Sequence, residues 1–410
     1  MRQVKEIKAD LRNEIIKKID FSKDISDEEV EELIDEIIVR KSKVEFFTLE
    51  DKVRIRKDLF YSIRKLDILQ ELIDDNTVTE IMVNGKDNIF IERKGKLSKW
   101  DKNFETDEKL NDVIQQIVAK SNRVVNESSP IVDARLSNGS RVNVVLNPVA
   151  LNGPILTIRR FPDKPIDMED LIRFGAISRE AVDFLKSLVF CGYNIFISGG
   201  TGSGKTTFLN ALSNYIPADQ RVITIEDSAE LQIQNVTNLV RLETRNANVE
   251  GCAEITIRDL IRSSLRMRPD RIIVGEVRGA EALELLSAMN TGHDGSLSTG
   301  HANSCEDMLA RLETMILMGI ELPLNAIRRQ LASGIDIIVH LGRLRDKSRK
   351  VLEISEIVGM DSDKIKVSQL YKFVERPSTN NEIRGELCKV GALKNTDKWV
   401  RGGLTLDNQL

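Results

Sequence analysis

The stretch NIFISGGTGSGKTTFLNALSNYI, residues 194–216, decides the fold. It has the pattern of an apolar strand, a glycine-rich loop and an amphipathic helix, in that order. Gly199, Gly204, Lys205 and Thr206 satisfy G-x-x-x-x-G-K-[ST], the phosphate-binding P-loop. Glycines let backbone N–H groups converge on phosphate oxygens, while Lys205 reaches the β and γ phosphates and the Thr206 hydroxyl takes a position on magnesium. The expected nucleotide-binding residues are Gly199, Gly200, Thr201, Gly202, Ser203, Gly204, Lys205, Thr206 and Thr207.

ATP with Mg²⁺ is the expected ligand of this loop. The sequence has neither the Asn-Lys-x-Asp element by which GTPases read guanine nor an ABC-type signature loop. ATP is therefore the expected nucleotide, and Mg²⁺ accompanies it because the metal bridges phosphate oxygens.

Two glutamates end predicted strands that follow the loop. RVITIEDSAEL (221–231) ends its apolar run on Glu226, and DRIIVGEVRG (270–279) ends its run on Glu276. A carboxylate at the carboxyl edge of such a strand can hold the waters of magnesium or orient the attacking water. We expect both to be catalytic, one of them as the general base, and the sequence does not rank them. Asp227 and Glu230 are further candidates.

The residue before Glu276 departs from the usual Walker B pattern. Gly275 stands where that pattern has an aspartate. Thr206 and water are therefore expected to do most of the metal binding, with Glu276 acting on Mg²⁺ through water.

The pattern along the chain predicts five segments. Residues 1–74 carry apolar positions at helical spacing among many charges, which predicts a helical extension. Residues 75–160 combine short β-rich runs with one helix and predict an α+β domain, followed by a linker at 161–174. From 175 to 345 strands and helices alternate, as in a parallel sheet with crossover helices. Residues 346–410 predict short strands and a polar tail.

Composition restricts the function further. The chain has 410 residues, of which 41% are hydrophobic, enough for two or three domains. Sixty basic and 64 acidic residues give a net charge of −4, which argues against a general nucleic-acid binder. The four cysteines form no CxxC pair and indicate a reduced compartment. Without a signal-peptide core or a long apolar run, we expect a cytoplasmic protein that reaches a membrane only through partners and is not inserted in it.

Longer motifs surround these residues. They include ISGGTGSGKTT, ITIEDSAEL, LVRLETR, RIIVGEVRGAEALELLSAMNTGHDGSLSTGHANS and, upstream, VTEIMVNGKDNIFIERKGKL. Together they extend over about residues 75 to 358 and resemble the type II/type IV secretion system ATPase superfamily. The branch that they resemble most is the CpaF-like ATPases of tight-adherence (Flp) pili.

This resemblance implies an α/β fold: a RecA-like P-loop NTPase domain with a parallel sheet, preceded by an α+β amino-terminal domain. It also implies a homo-hexameric ring with ATP held between the two domains. Members hydrolyse ATP to drive pilus assembly, pilus retraction or protein secretion through an inner-membrane platform protein. By motif position, Glu226 and Asp227 fall in the Asp box, Glu276 in Walker B, and His293 and His301 in the His box.

The segment NTGHDGSLSTGHANS, residues 290–304, holds two of the three histidines. A metal site needs three or four convergent ligands, and only Cys305 stands at helical spacing from His301. Because His293 and His301 flank a predicted strand next to Walker B, we expect both near the γ-phosphate as sensors. A hydrogen-bonded core histidine is the alternative for each.

Arginines are the expected source of positive charge for the transferring phosphoryl group. Arg135 and Arg141 flank an SNG turn, and Arg159 and Arg160 end the last strand of the α+β domain. The resemblance implies that arginines at these motifs close over nucleotide from the same or the adjacent subunit. Arg245 and Arg278 are further candidates.

Two other functions stay open at this point. A RecA-like ring can also be a nucleic-acid-dependent translocase, although the net charge and the lack of an aromatic-basic stripe count against it. A P-loop small-molecule kinase would need an acceptor pocket. The sequence does not distinguish pilus extension from retraction or secretion.

Overall fold

The computed structural model describes residues 4–19, 25–93, 95–121, 123–160, 165–245, 253–376 and 383–405. The first four residues of the expected linker, 161–164, lie outside these ranges. The chain divides into two units, Met1–Asp163 and Lys164–Leu410.

The first unit begins with three helices that bury one apolar stripe each. Leu11, Ile34 and Ile55 are at most 1% exposed and belong to one hydrophobic cluster. Each stripe recurs every three or four residues, as a helix that packs on neighbours requires. These helices are α1 (Val4–Lys18), α2 (Asp27–Lys41) and α3 (Leu49–Arg64).

The rest of the first unit is an antiparallel sheet covered by two helices. Its strand order is β3-β2-β1-β6-β5-β4, and the apolar faces of α4 and α5 belong to the same hydrophobic cluster as the sheet. This is the expected α+β arrangement. The elements are α4 (Leu69–Asp74), β1 (Val78–Asn84), β2 (Ile89–Arg93), β3 (Lys96–Lys99), α5 (Asp107–Lys120), β4 (Ile131–Arg135), β5 (Arg141–Val145) and β6 (Ile155–Arg159).

The second unit is built on a nine-stranded sheet, of order β15-β14-β13-β12-β7-β11-β10-β8-β9. The helices are α6 (Met168–Arg173), α7 (Arg179–Phe190), α8 (Lys205–Ser213), α9 (Ile257–Ser264), α10 (Ala282–Asn290), α11 (Cys305–Gly319), α12 (Leu324–Gly334) and α13 (Asp397–Arg401). The strands are β7 (Ile195–Gly199), β8 (Arg221–Glu226), β9 (Asn238–Glu243), β10 (Arg271–Val274), β11 (Leu297–Gly300), β12 (Ile337–Arg343), β13 (Arg349–Asp361), β14 (Lys364–Arg376) and β15 (Arg384–Lys389).

The six strands from β12 to β9 are parallel, which confirms the α/β fold expected from the alternating pattern. Helices α6–α8 pack on one face of this sheet and α9–α12 on the other. Neighbouring residues of β7 show the alternation, since Ile195 and Ile197 face the first cluster and Phe196 the second. The carboxyl ends of the parallel strands therefore meet at one edge, which is where β7 delivers the glycine-rich loop.

The carboxyl-terminal strands are longer than the sequence pattern indicates. β13 and β14 have 13 residues each, and they extend the same sheet in antiparallel order instead of forming a separate group of short strands. Register shifts near Ile354 and Ile357 interrupt the pairing of these two strands. A shift of this kind breaks the alternation of apolar and polar residues. The sequence pattern therefore predicted shorter strands than the structure has.

Candidate nucleotide-binding site

The glycine-rich loop runs between β7 and α8. Gly202 and Gly204 have φ angles of +70° and +95°, in the left-handed region that glycine adopts without strain. Gly204 is also the residue that begins α8, and the Ser203 hydroxyl donates a hydrogen bond to the Gly200 carbonyl at 2.8 Å. This backbone turn at a helix N-terminus is the arrangement that binds phosphate through N–H groups.

The loop is closely packed against β12. Gly199 is the parallel partner of Leu341, and a Cβ atom at Gly199 would lie 2.5 Å from the Leu341 carbonyl oxygen and 2.6 Å from the Ser203 hydroxyl. No side chain fits there, so this glycine is required by a close approach of backbone.

Lys205, His301 and Glu276 form a continuous polar chain beside the loop. Lys205 Nζ donates to the Gly200 carbonyl at 3.1 Å and lies 3.2 Å from His301 Nδ1, while His301 Nε2 lies 2.8 Å from Glu276 Oε1. Burial lowers the pKa of Lys205, and burial together with the Lys205 charge lowers the pKa of His301. A neutral imidazole can accept from Lys205 at Nδ1, whereas the Nε2 contact with Glu276 is close but lacks hydrogen-bond geometry, since Glu276 Oε1 has no hydrogen-bond partner among the described residues.

Glu276 is held from its other side by Arg278. Arg278 Nη2 donates to Glu276 Oε2 at 2.7 Å, and Nη1 of the same side chain lies 3.8 Å from Asp227 Oδ2. With Lys205 and His301, the structure thus brings five predicted residues together at the carboxyl edge of the sheet, and Glu276 is contacted by a histidine and an arginine.

Glu226 is the most buried acid of the site, at 3% exposure. Its Oε1 accepts hydrogen bonds from the N–H groups of Glu230 and Leu231 at 2.8 and 3.0 Å. Its Oε2 is buried and has no hydrogen-bond partner among the described residues. Burial raises the pKa of Glu226 to about 7. This group can therefore exchange a proton near neutral pH.

Gly275, the residue before Glu276, lies close to the Glu226 side chain on the neighbouring strand. A Cβ atom at Gly275 would lie 3.0 Å from Cγ and 3.4 Å from Oε1 of Glu226. A side chain at position 275 would therefore require the Glu226 side chain to shift by a few tenths of an ångström.

The two predicted histidines lie at opposite ends of β11. His301 follows this strand, whereas His293 precedes it, with Nδ1 3.3 Å from the Ala288 carbonyl oxygen. The four residues of β11 extend over about 13 Å. Of these two histidines, the structure therefore brings only His301 to the phosphate loop of its own chain, and the sensor role of His293 stays a prediction.

Among the other candidates of this unit, Thr206 and Thr207 occupy the first turn of α8. Arg245 donates to the Ala253 carbonyl through its side chain and pairs with Ile255 through its backbone.

In the first unit, three of the four predicted arginines form a row. Arg141 on β5 is the direct cross-strand partner of Arg135 on β4 and of Arg159 on β6. Directly opposed residues of antiparallel strands share a face and destabilise the pair when they carry like charges. Glu80 on β1 continues the row beyond Arg159. Glu92 on β2 is in turn the partner of Glu80, so the row continues from three arginines to two acids.

Arg160 does not belong to this row. Its guanidinium donates to the backbone carbonyls of Asp75 and Val78 and to Asn76 Oδ1. These contacts tie the end of β6 to the segment before β1. They give Arg160 a structural role within its own unit, and its expected action on nucleotide stays a prediction.

Sequence reasoning missed a neighbour of the loop. Arg349 Nε donates to the Gly202 carbonyl at 2.8 Å. Arg349 lies at the start of β13, almost 150 residues after the loop, and no motif marks it. Only the antiparallel return of the chain beside β12 could have pointed to it.

A nucleotide-bound magnesium ion fits these residues. Thr206 is in the first turn of α8, and the partnerless oxygen of Glu226 is a buried acceptor at the same edge. Among the described residues there is no group of three or more His, Cys, Asp or Glu side chains that could hold a metal by itself. None of the described helices is long and apolar enough to span a membrane.

Comparison with known proteins places the chain in a family. The model of the type II/IV secretion system protein family matches residues 63–393. A putative conjugal transfer protein of Mycobacterium tuberculosis is 35% identical over 294 residues, which cover 70% of this chain and 83% of that protein. VirB11, a type IV secretion system protein of Brucella suis, is 33% identical over 325 residues, covering 72% and 89%.

A solved structure shows the same fold at lower identity. The ATPase DotB of Legionella pneumophila superposes with a TM-score of 0.51 and 21% identity, over 70% of this chain and 79% of that one. The family model covers more than half of the chain, and the relatives match at over 30% identity across most of their own length. The chain therefore belongs to the type II/IV secretion system protein family.

Proposed function

We propose that this protein is a motor ATPase that hydrolyses ATP with Mg²⁺ and works as a homo-hexameric ring. Its partner would be an inner-membrane platform protein of a pilus or secretion machine, which would hold it at the cytoplasmic face of the membrane. The CpaF-like branch remains the prediction for its subtype. The relatives are named as conjugal transfer and type IV secretion proteins, which supports this class of machine.

The observation that carries the proposal is the chain Lys205–His301–Glu276 at the phosphate loop. A lysine for the phosphates and a carboxylate for water are thereby linked through one imidazole at the carboxyl edge of the sheet. An imidazole that contacts both groups can report at Glu276 whether Lys205 is engaged by a γ-phosphate. We therefore assign His301 as the sensor and Glu276 or Glu226 as the base.

The arginine row of the first unit supplies the remaining charge in this proposal. We assign Arg135, Arg141 and Arg159 to stabilisation of the phosphoryl group, which is worth about three or more orders of magnitude in rate where arginines are donated to such sites. A residue donated by an adjacent subunit would make activity depend on assembly. This dependence separates a ring motor from a monomeric kinase.

A mixing experiment tests the proposal. Lys205→Ala and Arg141→Ala are each expected to be inactive in phosphate release from ATP. A mixture of the two would recover activity if one subunit supplies the loop and its neighbour supplies the arginine. The specific rate of the wild type should also rise steeply with protein concentration.

Arg160→Ala is the matched control, since its guanidinium bonds the backbone of its own unit. Mixing Arg160→Ala with Lys205→Ala should not produce the recovery of phosphate release that is expected for Arg141→Ala with Lys205→Ala. A wild-type rate that is independent of concentration, with no recovery on mixing, would contradict an assembled site. Stimulation by DNA would favour the translocase, and turnover only with an added acceptor would favour the kinase.

A further inference from the structure

The hairpin formed by β12 and β13 reaches past the edge of the sheet to the phosphate loop. Leu341 pairs with Gly199, the last residue of β7, and β12 continues for two more residues to Arg343. Arg349 begins the return strand and is the direct cross-strand partner of Arg343. Two arginines therefore stand opposite each other at the same end of the sheet as the loop.

Both side chains lie against the glycines of the loop. Arg349 Nε donates to the Gly202 carbonyl at 2.8 Å, and Arg349 Cδ lies 3.6 Å from the place that a Cβ atom at Gly204 would take. Arg343 Nη1 lies 3.7 Å from the corresponding place at Gly202. Because these positions carry no side chains, the guanidiniums come close to the backbone that is expected to hold phosphate.

The charges of this hairpin are not balanced locally. Within the part of the chain that the structure describes, neither Arg343 nor Arg349 is within ion-pair distance of a carboxylate, whereas Arg345 between them pairs with Glu375. Directly opposed like charges destabilise a pair of strands. A bound anion would offset this repulsion, and the loop beside it is an anion site.

Hydrogen bonds also fix the turn that joins the two strands of this hairpin. Leu344 N–H donates to the Ser348 carbonyl at 2.8 Å, which closes the turn. Asp346 accepts from the N–H groups of Ser348 and Ile383, each at 2.9 Å. The acid of the turn is thus used by backbone and does not neutralise the arginine pair.

We propose that Arg343 and Arg349 contact the phosphate chain of the nucleotide bound by the same subunit. Arg349 positions the loop through Gly202 and directs its remaining donors to the phosphates, and Arg343 contacts them directly. The ligand class is a nucleoside di- or triphosphate. This inference rests on the proposed nucleotide site and adds residues that no motif marks.

The test measures the affinity of the full chain for ATP, ADP and AMP by displacement of a fluorescent ADP analogue. Arg343→Ala is expected to weaken ATP and ADP about tenfold or more, as for loss of a charge-assisted hydrogen bond, and to change AMP much less. Arg345→Ala is the matched control, because it removes an arginine of the same hairpin that is paired with Glu375. It should bind all three nucleotides like the wild type.

Several results would overturn the inference. Equal affinities of Arg343→Ala and Arg345→Ala for ADP would do so, and so would an equal loss for AMP, since that points to the base or ribose. Arg349→Lys keeps the charge and should bind ADP more tightly than Arg349→Ala. If Arg349→Ala does not fold, Arg343→Ala decides, because Arg343 makes no side-chain hydrogen bond among the described residues.

Lys205→Ala separates this inference from the proposed function. If Lys205→Ala loses ADP and Arg343→Ala does not, the nucleotide site stands and the arginine contacts are wrong. If Lys205→Ala binds ADP like the wild type, the nucleotide site itself is wrong, and the arginine contacts are overturned with it.

Discussion

The two ends of the parallel strands in the second unit carry polar clusters of different kinds. At the amino end, the Asn194 side chain accepts from the N–H groups of Gly295 and Ser296 at 2.8 and 3.0 Å and donates to the Gly334 carbonyl at 2.7 Å. At the carboxyl end, Glu226 keeps a buried oxygen without a partner among the described residues. The Asn194 side chain is hydrogen-bonded within the protein, whereas the Glu226 side chain keeps an acceptor that a ligand can use.

Charges follow the same division. Lys398 Nζ lies 2.7 Å from both Asp294 Oδ1 and Asp336 Oδ2 at the amino end, so a cation is enclosed by two acids. At the carboxyl end, Lys205 contacts a carbonyl and an imidazole but no carboxylate within ion-pair distance in the described residues. A lysine buried in this way is unfavourable until an anion reaches it. The difference indicates stability at one end and binding at the other.

The largest effect is expected from Lys205→Ala. It should lower ATP turnover by about 10³-fold, because a buried donor to the phosphates is lost. The melting temperature should stay the same or rise, since the pKa of Lys205 is lowered by burial and its charge is costly in the folded state. Phosphate release and a thermal scan measure the two parts. A large fall in melting temperature would show that this end of the sheet also depends on Lys205 for stability.

Glu276→Gln should separate binding from turnover at the carboxyl end. We expect ATP to bind as in the wild type and turnover to fall about 10²-fold, as for loss of a group that acts on water. Glu281→Gln is the control, because the Glu281 carboxylate accepts from the N–H groups of Arg278 and Gly279 and serves the local backbone. Turnover of Glu276→Gln equal to that of the wild type would leave Glu226 as the remaining base.

Asn194→Ala tests the amino end. The change removes the partner of two N–H groups and of the Gly334 and Met289 carbonyls, at about 1 kcal/mol each, so the free energy of unfolding should fall by about 4 kcal/mol. Turnover per folded molecule should stay close to that of the wild type. Denaturant unfolding gives the first quantity. Asn235→Ala is the control, because among the described residues its exposed amide donates only to the Asn214 carbonyl. Loss of turnover in fully folded Asn194→Ala would break the division between the two ends.

The sequence allowed most of the carboxyl end to be predicted, because each functional residue there follows its own apolar run. The loop, Glu226, Glu276 and His301 all stand at strand ends that local patterns mark. Arg343 and Arg349 were missed because an antiparallel pairing that no local pattern shows brings them to the loop. The end of β11 at which His293 lies and the carbonyls that Arg160 contacts are set by the three-dimensional fold. No local sequence pattern predicts them.

The smallest expected effect is a pH dependence of stability from Glu226. Burial raises its pKa from 4.5 to about 7, so the folded chain keeps this proton while the unfolded chain releases it. Between these values the free energy of unfolding should fall as pH rises, by about 3 kcal/mol in total, and Glu226→Gln should remove that part of the slope. Asp336 at the amino end is the control: burial raises its pKa too, but Lys398 opposes the shift, so Asp336→Asn should change the slope less. Equal slopes for the wild type and Glu226→Gln would show that Glu226 ionises as in the unfolded chain, and the two ends would then not differ in how they hold an acid.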